Sequence, residues 1–256
     1  MRFSSFAPAS YKRNLAFIAA LSAFSAQALA ADLKSTPAPS FKVGDTWVFD
    51  QTIEKGQTGF SQVRIDLAIE RLNDSTMMVG IKRDGAPTAF EDHVVGKDWS
   101  LREVIDGQET ATTRPFTFPM SVGDSWTIDY TDSIRRGAQT SLHVHQTYKV
   151  VGWEDVTVPA GTYRALKIEA NGVDNGTIQT PAAAVGGAVA GAGGATTIMH
   201  TQRGGQSVLT RKSYDEIYYV PELNSQVKSV EEQYNSEDVR VSRQTRVMVA
   251  YKKAPG

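Results

Sequence analysis

The sequence predicts an all-β fold with at most a minor helix, in which a curved antiparallel sheet or half-barrel is built from two related β units. Three observations predict it. Alternating apolar and polar residues recur along the chain, turn signals separate them, and VGDTWVFDQT at 43–52 returns as VGDSWTIDYT at 122–131. Alternation with a period of two is typical of a strand with one buried face, and no segment after residue 30 sustains a helical period.

The first thirty residues (1–30) are predicted to be a secretory signal peptide that precedes the folded body. The first fourteen of them contain three basic residues and no acid, the apolar run LAFIAALSAFSA follows at 15–26, and Ala28 and Ala30 occupy the small-residue positions of a cleavage site. The apolar run is too short for a permanent membrane anchor, although a retained anchor helix is the alternative. We therefore expect a mature chain that begins at Ala31 and is periplasmic or secreted.

Composition excludes several classes of partner. Without the three bases of the signal peptide, 24 basic residues stand against 28 acidic ones, and a net charge of −4 provides no basic footprint for nucleic acid. No later stretch is long and apolar enough to form an integral membrane helix. The chain has no cysteine, which excludes disulfides, a thiol nucleophile and the lipid anchor of a lipoprotein.

The predicted strands follow from alternation and from the turns between them. In SQVRIDLAIERL at 61–72, alternate apolar residues from Val63 to Ile69 share one face and polar residues occupy the other. LHVHQTYKVV at 142–151 repeats the pattern. Further strands are predicted at Thr76–Lys82, Ala89–Val95, Tyr163–Ala170, Val208–Val220, Gln226–Tyr234 and Val239–Ala250, separated by the turn signals LNDS, RDGAP, VIDGQ and VPAGT.

A shift of 79 residues superimposes the two similar stretches and continues without a gap into the next strand, where it carries Val63 onto Leu142. Each copy begins with a Gly-Asp turn, in which glycine supplies backbone freedom and aspartate accepts hydrogen bonds from nearby amides. Trp47 and Trp126 follow. We expect both tryptophans to pack in the core rather than to stack on a sugar or a lipid.

The repeat divides the chain into an N-terminal β unit at 31–115 and a C-terminal β unit at 116–256. The C-terminal unit contains TPAAAVGGAVAGAGGATT at 180–197, which has small residues and no charge. Glycine at this density offers little side-chain burial in return for its ordering entropy, so the segment is predicted to be a flexible loop. A mobile flap over a cavity and a membrane-seeking loop are the alternatives.

No arrangement of residues predicts an enzyme, a metal site or a bound cofactor. The chain lacks a G-x-S-x-G elbow, and GGAVAGAGG is not followed by the Lys-Ser/Thr of a phosphate loop. His143 and His145 project from one face of a strand, but this is the polar face that also carries Thr147 and Lys149, which predicts solvated side chains rather than metal ligands. Neighbouring carboxylates on a strand point to opposite faces and form no acid–base pair.

Two motifs resemble those of a known group of proteins. VGWEDVTVPAGTYRALKIEA at 151–170 contains V-x-V-P-A-G-T-[FY], and YYVPELNSQVKSVEEQ at 218–233 contains V-P-E. With VGDSW at 122–126, they resemble a broad group of exported bacterial proteins of unknown function, over a region from Pro119 to Tyr234. That group is similar in fold to lipoprotein carriers of the LolA/LolB kind, whose curved sheet wraps as a half-barrel around an apolar cleft. The Gly/Ala insertion between the motifs departs from the pattern.

The resemblance implies a non-catalytic exported protein that binds an apolar ligand or lipid, such as an acyl chain or a lipoprotein anchor, in its curved sheet. The implied ligand-binding residues are the aromatic side chains Tyr148, Tyr163, Tyr218 and Tyr219, for which an ordinary core position is the alternative. The alternative function is an envelope scaffold or interaction module. Such a protein would bind another envelope protein through exposed β edges. No cofactor is expected with either partner.

Cleavage before Ala31 gives a first testable prediction. A chain expressed with its own first thirty residues should yield a processed product whose intact mass corresponds to residues 31–256. Because signal peptidase requires small residues at the cleavage site, the double variant Ala28→Phe, Ala30→Phe should remain unprocessed. Recovery of the wild-type chain with its first thirty residues still attached would contradict the assignment.

Overall fold

A computed structural model of the chain describes residues 34–56, 59–84, 91–133, 139–180, 183–191, 194–202 and 205–255. The predicted signal peptide at 1–30 lies outside the described residues. Within the described ranges, no helix is long and apolar enough to cross a membrane.

Strands make up nearly all the regular structure of the described residues. They are β1 (Thr46–Lys55), β2 (Gly59–Leu72), β3 (Thr76–Arg83), β4 (Glu91–Gly96), β5 (Leu101–Ile105), β6 (Gln108–Thr113), β7 (Ser125–Asp132), β8 (Gln139–Val158), β9 (Gly161–Thr180), β10 (Ala183–Gly191), β11 (Gly194–Gln202), β12 (Gly205–Val220), β13 (Ser225–Tyr234) and β14 (Arg240–Lys252). A short 3-10 turn at Pro221–Leu223 is the one helical element in these ranges. The prediction of an all-β fold is confirmed.

Ten of the strands form one antiparallel sheet in the order β4-β3-β2-β1-β14-β13-β12-β9-β8-β7. The sheet is open, because β4 and β7 at its two ends each pair with one strand among the described residues. Register shifts interrupt several ladders, including β1 with β14 and β12 with β13. Such bulges bend a strand and increase its twist, and the predicted curved antiparallel sheet is confirmed.

The first and last strands of this sheet meet in its middle. β1 pairs with β14 from Thr46 opposite Lys252 to Lys55 opposite Ser242. Strands from both predicted β units therefore lie in one sheet, while the division into units at 31–115 and 116–256 stays a prediction.

One face of the ten-stranded sheet, called the inner face, carries most of the buried apolar side chains. Cross-strand register places on this face Phe49, Ile65, Leu67, Ile168, Ile217 and Met248, all of them buried. Residues 97–121, called the covering segment, cross the inner face, and Phe116 and Met120 of this segment are almost fully buried against it. Each side chain of this size contributes about 1.5–3 kcal/mol when it leaves water, so the covering segment completes the core.

The two Gly-Asp turns adopt the same conformation. Gly44 and Gly123 have φ of 92° and 96°, values that favour glycine. Lys42 donates its backbone amide to Asp45 Oδ2 over 2.9 Å, and Ser121 donates its backbone amide to Asp124 Oδ2 over 2.7 Å. The side-chain contacts of both aspartates therefore follow the predicted turn chemistry.

The tryptophans that follow the two turns differ in how far along the chain their cross-strand partners lie. Trp47 lies opposite Leu67, whereas Trp126 lies opposite Tyr148. The ungapped shift carries Leu67 onto Gln146 instead, so it is wrong by two residues in the second strand. The second hairpin is longer by those two residues, and an even insertion preserves which face each side chain occupies.

The two motif turns take the conformations that their residues favour. Gly161, in VPAGT, has φ of 141° at the start of β9. In VPELN, Pro221 begins the 3-10 turn and Asn224 ends it in the left-handed region with φ of 52°. Asparagine tolerates this region better than most residues, and its side chain donates to Ser40 O over 2.7 Å.

Residues 183–191 and 194–202, which include most of the Gly/Ala-rich segment at 180–197, are paired as strands, which differs from the predicted loop. β10 and β11 form an antiparallel hairpin with Ala183 opposite Gln202. This hairpin is a separate two-stranded sheet. The composition hid this hairpin because a run of Gly and Ala has no apolar–polar alternation.

The unequal burial of the two turn aspartates predicts unequal effects on stability. Asp45 is fully buried and its second oxygen accepts the backbone amide of Ala254 over 2.9 Å, whereas Asp124 is exposed. Asp45→Ala leaves two amides without an acceptor and should lower the free energy of unfolding by about 3–5 kcal/mol, against about 1 kcal/mol for Asp124→Ala. Urea unfolding followed by tryptophan fluorescence measures both, and equal losses would contradict the assignment.

Candidate ligand cavity on the inner face

A cavity of about 360 Å³ lies between the inner face and the covering segment. Its apolar walls come from β1, β2, β12 and the covering segment, and its polar groups come from β12, β13 and β14. The apolar lining includes Phe49, Leu67, Trp99, Phe116 and Ile217. The polar lining includes Asp215, Ser229, Glu231, Gln244 and Arg246.

Cross-strand register explains why these residues meet. One row across the inner face runs Gln51, Arg246, Ser229, Ile217, Ile168 and Val150. The next row runs Ile53, Gln244, Glu231, Asp215, Ala170, Tyr148 and Trp126. Residues directly opposite each other in neighbouring strands point to the same face. The centre of the inner face is therefore charged, although the rest of it is mostly apolar.

Aromatic contacts hold the covering segment over the sheet. Trp99 donates its indole N–H to Asn224 O over 2.9 Å, and its ring lies edge-on to Trp47 at 5.4 Å. Phe116 packs on Tyr219 at 4.7 Å between ring centroids. Trp126 donates its indole N–H to Arg114 O over 2.8 Å. These bonds fix the segment at a distance that leaves the cavity beneath it.

Trp47 and Trp126 share a pattern of contacts. Trp47 is fully buried, stacks on Tyr251 at 5.7 Å and donates its indole N–H to Leu223 O over 3.0 Å. Trp126 is partly buried and stacks on Tyr148 at 5.3 Å. The predicted packing role of both tryptophans is confirmed.

Two carboxyl groups lie side by side in the second row. Asp215 is directly opposite Glu231. Burial, together with the negative charge of Glu231, raises the pKa of Asp215 to about 7, against the opposing effect of the hydrogen bond from Gln146 Nε2. Asp215 Oδ1 is buried and has no hydrogen-bond partner among the described residues. A carboxyl group in this position is close to half protonated at neutral pH.

Tyr148 extends this polar group along the row. Its hydroxyl donates to Gln146 Oε1 over 2.7 Å, and Gln146 in turn donates to Asp215. Burial, followed by the charge of Asp215, raises the pKa of the Tyr148 hydroxyl. The tyrosine therefore stays neutral and acts as a hydrogen-bond donor.

Arg246 brings a positive charge to the cavity. Its Nε and Nη2 donate to the amide oxygen of Gln51 over 3.2 and 2.8 Å, and its guanidinium carbon lies 5.9 Å from the centre of the Phe49 ring. Burial lowers the pKa of Arg246, while the charge of Glu231 acts in the opposite direction. Within the described ranges, Arg246 forms no ion pair with a carboxylate.

The four tyrosines predicted to bind a ligand do not come together. Tyr148 lines the cavity, and Tyr219 is buried behind Phe116. Tyr218 points to the other face of the sheet, where Lys167 Nζ lies 5.9 Å from its ring centre. Tyr163 lies at the β8–β9 turn and donates its hydroxyl to Ala160 O over 2.9 Å.

Asp215 and Arg246 are cavity residues that the sequence interpretation missed. Each interrupts the apolar positions of an alternating strand: Asp215 shares its face with Ile217, and Arg246 shares its face with Met248. A charge at an inward position is rare unless it is paired or functional. That signal was available in the sequence, whereas the pairing of β12, β13 and β14 that gathers the charges was not.

The histidine pair lies on the polar face of the strand beside a carboxylate. His143 is partly exposed and His145 is exposed, and their ring nitrogens lie 3.3 and 2.7 Å from the two carboxylate oxygens of Asp129. No three His, Asp or Glu side chains in the described part of the chain are placed to hold a metal ion.

The similarity of the chain to known proteins is distant. No family profile and no curated protein matches it. Among solved structures, it is similar to a predicted lipoprotein from Parabacteroides distasonis ATCC 8503, with a TM-score of 0.43 and 11% identity over 86% of this chain and 100% of that one. A predicted exported protein with a YmcC-like fold from Bacteroides fragilis NCTC 9343 gives a TM-score of 0.37 and 13% identity over 86% and 100% of the two chains. The hypothetical lipoprotein YmcC from Escherichia coli K12 gives 0.33 and 10% over 82% and 86%.

The pKa of Asp215 predicts a stability that falls as the pH rises. The group binds its proton more tightly in the folded chain than at its ordinary value of 3.8, so folding is favoured in acid and loses that advantage as the pH rises towards about 7. Asp215→Asn keeps an acceptor for Gln146 and cannot ionise. It should raise the free energy of unfolding by about 2–3 kcal/mol at pH 8 and change it little at pH 4.

Urea unfolding at the two pH values measures this difference. Asp74→Asn, in an exposed turn, is the matched control and should shift neither value. Destabilisation by Asp215→Asn at pH 8 would show instead that the ionised carboxylate stabilises the fold.

Proposed function

We propose that this protein is an exported, non-catalytic binding protein that holds a small apolar or amphipathic molecule in the cavity on its inner face. The observation that carries the proposal is the cavity itself. At about 360 Å³ it falls within the range of roughly 300–1,000 Å³ that is usual for small-molecule sites.

The composition of the walls supports an apolar ligand. Phe49, Trp99, Phe116 and Ile217 offer aromatic and aliphatic surface, with a few polar groups at one side. Ligand sites commonly combine apolar walls with a few placed polar groups that fix orientation. The same proposal includes a periplasmic location after removal of residues 1–30 and a likeness to LolA/LolB carriers.

A scaffold role is the alternative, and the open edges of the sheet favour it. β4 pairs on one side with β3, and Val94 of β4 is 59% exposed. An edge strand with free backbone groups can accept an extended segment of another envelope protein as an additional strand. In that case the cavity would have no ligand, and the protein would be recovered with a protein partner.

Blocking the cavity tests the proposal. Ile217→Trp places a large ring in the cavity, whereas Val208→Trp adds the same ring at a position of β12 that is 65% exposed. Native mass spectrometry of the wild-type chain should show a retained apolar molecule, and the neutral fluorescent probe N-phenyl-1-naphthylamine should bind to it after extraction. We expect Ile217→Trp to weaken probe binding by about tenfold or more and Val208→Trp to leave it unchanged.

Far-UV circular dichroism and urea unfolding check that the variants fold. If Ile217→Trp does not fold, Thr113→Trp blocks the cavity from the covering segment. Equal probe binding by all variants, or a bare wild-type mass with no probe binding, would overturn the proposal. A bare mass together with a co-purifying protein would favour the scaffold.

A further inference from the structure

We infer that the cavity ligand is an amphipathic anion, whose oxygen-bearing head group pairs with Arg246 while its apolar body lies against the aromatic wall. This inference rests on the proposed function and gives it a head-group chemistry and a recognition residue.

Arg246 is a largely buried cation without an ion-pair partner among the described residues. Both of its described hydrogen bonds go to one neutral acceptor, the amide oxygen of Gln51. In the part of the chain that the structure describes, Nη1 of Arg246 has no acceptor and no carboxylate pairs with the guanidinium. Buried charges in proteins are normally paired. Removing an ion from water costs roughly several kcal/mol, and a partner of opposite charge offsets this cost. Arg246 lines the cavity, so a molecule bound there could reach its guanidinium.

Other arginines of the chain are paired although they are more exposed. Arg64 Nε lies 2.8 Å from Asp50, Arg114 Nε lies 3.1 Å from Asp98, and Arg240 Nη1 lies 2.8 Å from Glu232. The chain thus provides carboxylates where water would already stabilise the charge, and provides only an amide where burial makes a partner most valuable. A ligand anion would supply the missing charge.

The surroundings of Arg246 fit one end of an amphipathic molecule. Ser229 lies directly opposite Arg246 in the first row and lines the cavity, so the same region of the cavity has a second hydrogen-bond donor. Arginine and a hydroxyl are frequent partners of carboxylate and phosphate oxygens. Phe49, 5.9 Å from the guanidinium, begins the apolar wall that continues to Trp99 and Phe116.

The two carboxyl groups fix the direction of the ligand. Glu231 and Asp215 lie in the neighbouring row, beyond Gln244, and an anion that approached them would be repelled. We therefore expect the head group on the side of the cavity that Arg246 and Ser229 line. Burial keeps Asp215 partly protonated at neutral pH, which weakens this repulsion.

An internal counter-ion provides the sharpest test. Gln51→Glu changes one amide to a carboxylate at the atom that already accepts from Arg246, so it neutralises the guanidinium with little change of shape. Gln62→Glu adds the same charge at an exposed position of β2 and is the matched control. Binding of decanoate, decyl phosphate, 1-decanol and decylamine is measured for each chain by displacement of N-phenyl-1-naphthylamine at pH 8 and low salt.

We expect the wild-type chain and Gln62→Glu to bind decanoate or decyl phosphate about tenfold more tightly than 1-decanol. In Gln51→Glu this preference should disappear, while affinity for 1-decanol stays within about threefold of wild type. The ratio of decanoate to decyl phosphate affinity distinguishes a fatty-acid carboxylate from a phosphorylated lipid as the source of the head group. Arg246→Met should repeat the loss of preference, and binding of 1-decanol reports that its cavity has formed.

The opposite outcomes separate the two claims. Equal binding of 1-decanol and both anions by the wild-type chain would overturn the anion inference and leave the proposed function in place. Tighter binding of decylamine would also overturn it, and would assign the head group to Asp215 and Glu231. Failure of all four probes to bind would overturn the proposed function. A preference for anions that survives in Gln51→Glu would show that Arg246 does not recognise the head group.

Discussion

The pairing of β1 with β14 is the contact on which the rest of the structure depends. It joins β2, β3 and β4 to the five strands from β13 to β7, so the ten-stranded sheet exists only when it forms. It also places Gln51 opposite Arg246 and Phe49 opposite Met248, which creates one wall of the cavity and its positive charge together. Asp45 reinforces the pair from outside, since its carboxylate accepts amides from both Lys42 and Ala254. Architecture and site therefore have a common origin in one ladder.

Buried charged side chains have different kinds of partner on the two faces of the sheet. On the face opposite the cavity, Lys167 is largely buried but lies 2.9 Å from Glu169 and 3.3 Å from Glu216, and these carboxylates raise its pKa against the effect of burial. That cluster is electrostatically complete within the chain. On the inner face, Arg246 has an amide and Asp215 has an oxygen without a partner. Asp215 and Arg246 both line the cavity, so these incompletely paired charged groups lie where the proposed ligand would bind.

Much of the fold could be predicted from the sequence because the strands have one apolar face and one polar face. Alternation located β2, β3, β12, β13 and β14 within a few residues, and the turn residues located the VPAGT and VPELN turns. Two features could not be predicted from the alternation. The second hairpin is two residues longer than the first, and inserting two residues leaves the apolar–polar alternation unchanged. The β10–β11 hairpin has no alternation to detect, because backbone pairing alone defines it.

The site was less predictable, since cross-strand neighbours are far apart in the sequence. Arg246 donates a hydrogen bond to Gln51, which is 195 residues away in the sequence. Tyrosines were sensible candidates for an apolar cleft, yet Tyr218 and Tyr219 are adjacent in one strand and point to opposite faces.

The position of β14 also bears on how the chain reaches its final state. It is the last of the described strands in chain order, yet its place is between β1 and β13, near the centre of the sheet. Until β14 is in place, β1 has no neighbour on that side, and the two halves of the sheet have nothing to join them. The sheet is therefore completed only when β14 pairs with both neighbours, and the cavity that Gln244 and Arg246 of β14 help to line forms no earlier.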